Sequence, residues 1–297
     1  MDHVGNDLGP ILLTGASGYL GRRVLSTLNA EGSSCVHTSL SGCAGEPCDL
    51  TDVNAVRALL NRVAPSIVIH CAAIVPKSAS AYSDIEAAEA SVAMMKTVAD
   101  AARCRLVLAS SMTVYGAAVD GPVDEERRPQ PASAYGRGKW AAEQILFDRH
   151  LTDDVALRLP GLFGLPRRSG LLYNAARAFL TQGKFELAVP TEPWGAMAVD
   201  DAAKYLVRAA LMPSDDPVQA VNVGYEVEWN VFSAVAQVAA CCGVTWRPPS
   251  TKAPTFSMRR RRLESRYGTL PVTFHQRLAE FVDAVRHDLK SRSSLVC

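Results

Sequence analysis

The chain has 297 residues, enough for one large domain or two closely packed ones with a sizeable core. Hydrophobic residues make up 48% and the formal net charge is +1. This composition excludes a disordered chain, and the balanced charge gives no global field toward nucleic acid or an anionic membrane.

The first half alternates strand and helix patterns. PILLTGA (10–16) is a short apolar run that ends in glycine, and YLGRRVLSTLNAEG (19–32) has apolar residues at helical spacing. CVHTSL (35–40) reads as a second strand, and VNAVRALLNRVA (53–64) as a second amphipathic helix. SIVIHCAA (66–73) and RLVLASS (105–111) are continuous apolar strands of the kind buried on both faces, with a long helix over about 84–102 between them. SAYGRGKWAAEQILFDRH (133–150) predicts a helix capped by Ser133, and VALRLPG (155–161) another strand. Such alternation predicts an α/β fold: a doubly wound, Rossmann-type parallel sheet covered on both faces.

Beyond 161 the pattern loosens. LLYNAARAFLTQG, DDAAKYLVRAAL, 231–244 and VTFHQRLAEFVDAVRHDL read as helices, with Asp200 and Asp201 as caps of the second. VQAVNVG (218–224) is strand-like, and RPPSTKAPTFSMRRRR is read as irregular. The expected division is a nucleotide-binding domain over 1–161 and a smaller substrate-binding lobe over 162–297, with segments near 194–224 returning to the first domain.

The eight cysteines show no metal-ligand spacing, and no metal is expected. The opening MDHVGNDLGP lacks a basic region followed by a long apolar run, and no apolar stretch reaches the roughly 18 residues of a membrane span. A cytoplasmic setting with free thiols, and no membrane or nucleic-acid partner, is the expectation.

TGASGYLG supplies Gly15, Gly18 and Gly21 between the first strand and first helix, together with Ser17, Tyr19 and Leu20. There, backbone N–H groups and the positive helix end can receive a pyrophosphate; a tight strand-to-helix turn is the plainer alternative. The second strand ends in HTSLSG, without the acid that holds an NAD ribose. Ser39, Ser41 and nearby Arg22 lean the reading to NADP, with NAD left open. CDLTD places Asp49 and Leu50 where they can flank an adenine ring.

Ser110 and Ser111 end a strand at the same sheet edge as the glycine loop, and Tyr135 and Lys139 share one helix face. With TGASGYLG, CDLTD, VIHCAA, SSMTVYG, PQPASAYGRGK, LRLPGLFG and AVDDAAKYL in this order, the chain resembles the extended short-chain dehydrogenases/reductases, the NAD-dependent epimerase/dehydratase family. The resemblance implies a catalytic set of Ser111, Tyr135 and Lys139, and a bound NADP or NAD. It implies that Gly15, Gly18 and Gly21 meet the pyrophosphate, that Cys71, Ala72 and Ala73 run along the cofactor, and that Pro160, Gly161 and Leu162 line the nicotinamide. It also implies a homodimer built on the helices 84–102 and 133–150.

The chemistry is consistent with that resemblance. Reducing a ketone needs a hydride at carbon and a proton at oxygen. A free tyrosine has a pKa of ~10, and a neighbouring lysine cation is expected to lower it. Gly136 and Gly138 are expected to leave the helix face open to the cofactor. Where dehydratases of the family carry Asp-Glu after the serine, this chain has Met112 and Thr113, so dehydration is not expected. That leaves a ketoreductase on a nucleotide-activated deoxysugar, loosely like the dTDP-4-dehydrorhamnose reductases, or a 4-epimerase. A non-catalytic, cofactor-holding regulator is the reading from another class. Thr113 is a candidate substrate contact. Arg167 and Arg168 are placed as a charged fork for a substrate diphosphate or as a solvated pair, with Trp194 where the family has an arginine. Ser91 stands where the family often has asparagine, and predicts an altered backbone contact.

Overall fold

Neighbouring residues of each central strand bury into opposite cores, and this decides the layering. The computed structural model describes residues 9–42, 45–151, 153–187, 193–213, 220–228 and 230–293. Strands β1 (Ile11–Thr14), β2 (Cys35–Ser39), β3 (Glu46–Pro47), β4 (Ile67–His70), β5 (Arg105–Ser111), β7 (Val155–Leu159) and β10 (Ala220–Asn222) form one sheet. Its order is β10-β7-β5-β4-β1-β2-β3, every pair parallel.

Leu12, Val68, Leu106 and Leu108 face one core, together with α2 (Val53–Val63), α3 (Ile85–Ala101) and α4 (Ala134–Phe147). Ile11, Leu13, Ile67, Ile69 and Val107 face the other, against α1 (Tyr19–Ala30) and α6 (Val199–Leu211). Strands buried on both faces need no polar alternation, which is why they read as continuous apolar runs.

A third core lies outside the sheet. It joins α5 (Leu171–Gln182), α7 (Val231–Cys241) and α9 (Phe274–Ser293), with Phe163 edge-on to both Phe274 and Phe281. Two small parallel pairs connect the regions. β8 (Gly161–Phe163) lies against β9 (Ala196–Ala198), and β6 (Gly121–Val123) against β11 (Phe256–Met258), followed by α8 (Arg261–Tyr267). The β6–β11 pair corrects the irregular reading of 247–262. Strands of three residues are too short to show a side-chain period, although Val123, Phe256 and Met258 are buried in one cluster. In the basic run that follows, Arg260 pairs with Glu226 and Glu264, and Arg262 with Glu126.

The expected caps Asp200 and Asp201 are also corrected. The helix starts earlier, Ala198 is its N-cap, and no side chain caps it. Asp200 pairs with Arg23 at 3.2 Å. Asp201 turns inward and accepts two bonds from Arg277 of α9, at 2.7 and 2.8 Å, and one from the Tyr225 hydroxyl at 2.7 Å. Burial works against the Asp201 charge, but these partners win and hold its carboxyl below the usual range. Such a group stabilises the fold above the ordinary carboxylate pKa and loses that contribution as pH falls through its folded value. Asp201→Asn is therefore expected to cost roughly 3 kcal/mol at neutral pH in urea unfolding. The cost should shrink as the medium is acidified below about pH 4, near the ordinary carboxylate pKa.

Candidate active site

The end of β5 and the first turns of α4 build the site. Ser133 caps α4, its hydroxyl accepting from the Gly136 N–H at 3.0 Å, which sets the helix start and aims Tyr135. One turn on, the Lys139 ammonium donates to the Ala109 carbonyl on β5 at 2.8 Å and lies 5.9 Å from the Tyr135 ring centroid. The Thr113 N–H and hydroxyl both donate to Ser111 Oγ, at 3.2 and 3.0 Å. Ser111 Oγ therefore accepts from Thr113 and keeps its own hydrogen to give. Ser111 lies near enough to the Tyr135 phenol to act against the rise of its pKa, and Lys139 stands one turn along α4 from Tyr135. Thr113, expected against substrate, is engaged with the serine.

Burial, with a smaller push from Tyr82, raises the Tyr135 phenol above its ordinary pKa; Ser111 and Arg167 oppose it. The net rise runs against the expected lowering, because burial of the phenol outweighs the groups that favour its ionisation. Burial likewise pushes Lys139 down to about 8, with Cys71 and Glu143 acting the other way. The His70 imidazole is pushed down to about 3 by burial and then by the Lys139 charge, and is neutral. It bonds Thr14 through Nδ1 at 2.9 Å, a placing role. Tyr82, edge-on to Tyr135 with centroids 5.6 Å apart, carries no sequence signal: it is a lone aromatic in the short 3₁₀ turn Ser80–Ser83.

Gly136 and Gly138 serve protein packing, which corrects the expectation that they open a face to the cofactor. A Cβ on Gly136 would lie 2.8 Å from the Thr113 carbonyl, and one on Gly138 3.2 Å from Ala88 of α3. Ser91 of α3 accepts from the Ile74 N–H at 2.9 Å, a contact to the backbone that follows β4.

The glycine loop meets the segment after β4. Gly15 has φ +73°, and a Cβ there would lie 2.6 Å from the Ala72 nitrogen; one on Gly21 would lie 2.1 Å from the Gly15 carbonyl. Around Gly18 a Cβ would meet the Gly15 carbonyl at 3.1 Å and nothing else within 4 Å. That open cradle at the start of α1 fits a dinucleotide pyrophosphate. Ser17, Tyr19 and Leu20 complete the turn, and Cys71, Ala72 and Ala73 flank it. Burial pushes the Cys71 thiol up to about 12, so it stays protonated beside Lys139. Pro160 and Leu162 bracket the entry to β8.

Other expected contacts fall elsewhere. Leu50 packs with Val56 and Leu59, and Asp49 accepts from the Thr51 N–H at 2.9 Å. Ser39 is buried, whereas Arg22 remains at the surface with its Nε on the Ser17 carbonyl. The Arg167–Arg168 fork separates. Arg168 binds Asp288 of α9 at 2.9 and 2.6 Å, while Arg167 lies over the Tyr19 ring. Trp194 packs among Phe232, Leu187 and Trp246.

Beneath the site runs a buried polar network that motif reading does not reveal. Glu143, one turn after Lys139, takes three bonds from Arg158 of β7 and one from the Ser110 hydroxyl. Arg158 donates to the Tyr115 hydroxyl at 3.0 Å, which donates to Asn222 of β10 at 2.7 Å. Burial opposes the Arg158 charge, and Glu143 more than offsets it, holding the guanidinium above its usual range.

The sequence profile described as "NAD dependent epimerase/dehydratase family" matches residues 11–224. The chain is 28% identical over 192 residues to dTDP-4-keto-6-deoxy-D-glucose reductase of Streptomyces niveus, covering 62% of each chain. It is 30% identical over 161 residues to methionine adenosyltransferase 2 subunit beta of Bos taurus, covering 52% of this chain and 47% of the relative. These matches thus span about half to three fifths of the length of the curated relatives. Among solved structures, MoeE5 in complex with UDP-glucose and NAD superposes with a TM-score of 0.76 at 24% identity, over 95% of this chain and 100% of that one.

Glu143→Gln leaves the Arg158 charge buried and uncompensated, and should cost about 3–5 kcal/mol in urea unfolding. A double change of Glu143 and Arg158 to methionine should cost clearly less than the sum of the single changes.

Proposed function

The chain belongs to the NAD dependent epimerase/dehydratase family, and we propose that within it the protein is a ketoreductase acting on a nucleotide-activated deoxysugar. The family is one of NAD(P)-dependent enzymes of the short-chain dehydrogenase/reductase type. The observation that carries the finer reading is the convergence of Ser111, Tyr135 and Lys139 beside the glycine loop. The chemistry that a bound nicotinamide supplies is hydride delivery to carbon. In this reading Ser111 donates its free hydrogen to the substrate carbonyl oxygen, where charge builds. Tyr135 gives its phenolic proton to that oxygen, and the Lys139 cation stabilises the phenolate left behind.

Two features favour a reductase over an epimerase that first oxidises its substrate, and a third speaks against a dehydratase. Burial keeps the Tyr135 phenol protonated, which suits a proton donor. Met112 and Thr113 supply no acid–base pair for dehydration. The Streptomyces niveus relative is named for reduction of a 4-keto-6-deoxy sugar nucleotide. Arg22 at the surface beside the loop, with no acid from His37 to Ser41, favours NADP over NAD. A second reading, a cofactor-holding subunit of another enzyme, draws on the likeness to the named methionine adenosyltransferase subunit.

The deciding assay is NADPH and NADH consumption with dTDP-4-keto-6-deoxy sugars. Tyr135→Phe should lower turnover by about 10²- to 10⁴-fold with cofactor affinity retained. Near-normal turnover in that variant sinks the mechanism, and no cofactor consumption by the wild type favours the subunit reading. Lys139 is cationic below its folded pKa of about 8. Reductive turnover should therefore fall as pH rises through 8, and Lys139→Met should remove that limb of the profile along with most activity.

A further inference from the structure

Three arginines crowd the junction between the glycine loop and the loop 164–169. Two have acidic partners: Arg23 pairs with Asp200 at 3.2 Å, and Arg168 is held by Asp288 at 2.6 Å. Arg167 has no carboxylate partner among the described residues; its Nε reaches the Ser169 hydroxyl at 3.2 Å. Its guanidinium carbon lies 5.7 Å from the centroid of the Tyr19 ring, a cation–π arrangement.

Tyr19 is the first residue of α1, at the helix end that the glycine loop feeds. Its hydroxyl donates to the Gly164 carbonyl at 2.7 Å, and Arg23 Nη2 donates to the Leu165 carbonyl at 2.5 Å. The approach is close: a Cβ on Gly164 would lie 3.2 Å from the Tyr19 hydroxyl and 3.0 Å from Val199. The loop carrying Arg167 is therefore docked on the N-terminus of α1, and the ring of Tyr19 serves as a platform for the guanidinium.

We propose that Arg167 is a cofactor clamp, a tyrosine-mounted arginine that binds the pyrophosphate of the dinucleotide across the mouth of the glycine loop. The sequence placed this arginine against a substrate diphosphate instead. Its position argues for the nearer anion. The guanidinium lies over the ring of Tyr19, the first residue of the helix that the glycine loop feeds, and Tyr19 in turn is tied to the loop that carries Arg167. An unpaired, half-buried guanidinium beside a helix N-terminus presents two converging sources of positive potential, and its planar fork matches phosphate oxygens. The proposal rests on the family's nicotinamide cofactor and not on the ketoreductase reading.

The test is direct binding without sugar substrate. NADPH is titrated into the purified full chain and followed by its fluorescence. Arg167→Gln should raise the cofactor Kd about ten-fold or more and flatten its dependence on salt. Arg167→Lys, which keeps the charge and loses the fork, should fall between that variant and the wild type. Arg168→Gln should stay within about two-fold of the wild type, a change of about 0.4 kcal/mol. ADP-ribose, which carries the pyrophosphate without nicotinamide, should displace NADPH and should itself be weakened by Arg167→Gln. A Kd for Arg167→Gln within about two-fold of the wild type overturns the proposal. So does an unchanged cofactor Kd with a raised KM for a sugar nucleotide, which returns the arginine to the substrate. Wild-type protein that binds NADPH but reduces no ketone would sink the ketoreductase reading and leave this test intact.

Discussion

The buried ion pair between Glu143 and Arg158 is the constraint on which the rest of the site depends. Both side chains are almost wholly removed from water, and each would be costly alone. Glu143 lies on α4 one turn from Lys139, and Arg158 lies on β7. Their bonds to Ser110 and Tyr115 extend the tie to the strand that ends in Ser111 and to the turn that carries Thr113. Asn222 then brings in β10, and its backbone N–H donates to Glu125 at 2.8 Å. Helix, strand and turn thus share one set of polar partners. Moving any one of them would strand a charge in the core, so the network fixes where the phenol, the ammonium and the serine stand.

Above this base, burial sets the chemistry. The same desolvation raises the Tyr135 phenol and lowers Lys139, so it favours the neutral form of both groups. The Thr113 donors leave Ser111 its hydrogen to give, and the Ala109 carbonyl holds the ammonium in place. Two adjacent arginines show how local geometry divides a motif. Arg168 turns to α9 and helps join the third core to the loop after β8, while Arg167 turns to the glycine loop.

The sheet was legible because its strands are buried on both faces and its helices carry apolar stripes. Ser111, Tyr135, Lys139 and the glycine loop were legible because each lies in a short motif beside a strand end. What escaped the sequence was long-range. Glu143, Arg158, Tyr115 and Asn222 are scattered, the outermost two 107 positions apart, and nothing local marks them as partners. Asp201 looked like a helix cap because acids commonly stand there; its partner Arg277 lies on the last helix. Gly136 and Gly138 looked like an open face, and their reason is the close approach of the Thr113 carbonyl and Ala88. The three-residue strand 256–258 pairs with 121–123 and buries Phe256 and Met258 in one cluster with Val123, over stretches too short for a pattern to show.

The sequence by itself determined the α/β architecture, the strand-end placement of the glycine loop and serine, and the shared helix face of Tyr135 and Lys139. These follow from periodicities and caps that act over a few residues. The tertiary structure alone decided which charges are paired, which glycines are forced by neighbours, and how far each titrating group is removed from water. Those properties depend on atoms brought together from distant parts of the chain, and burial and Coulomb energies depend on that proximity.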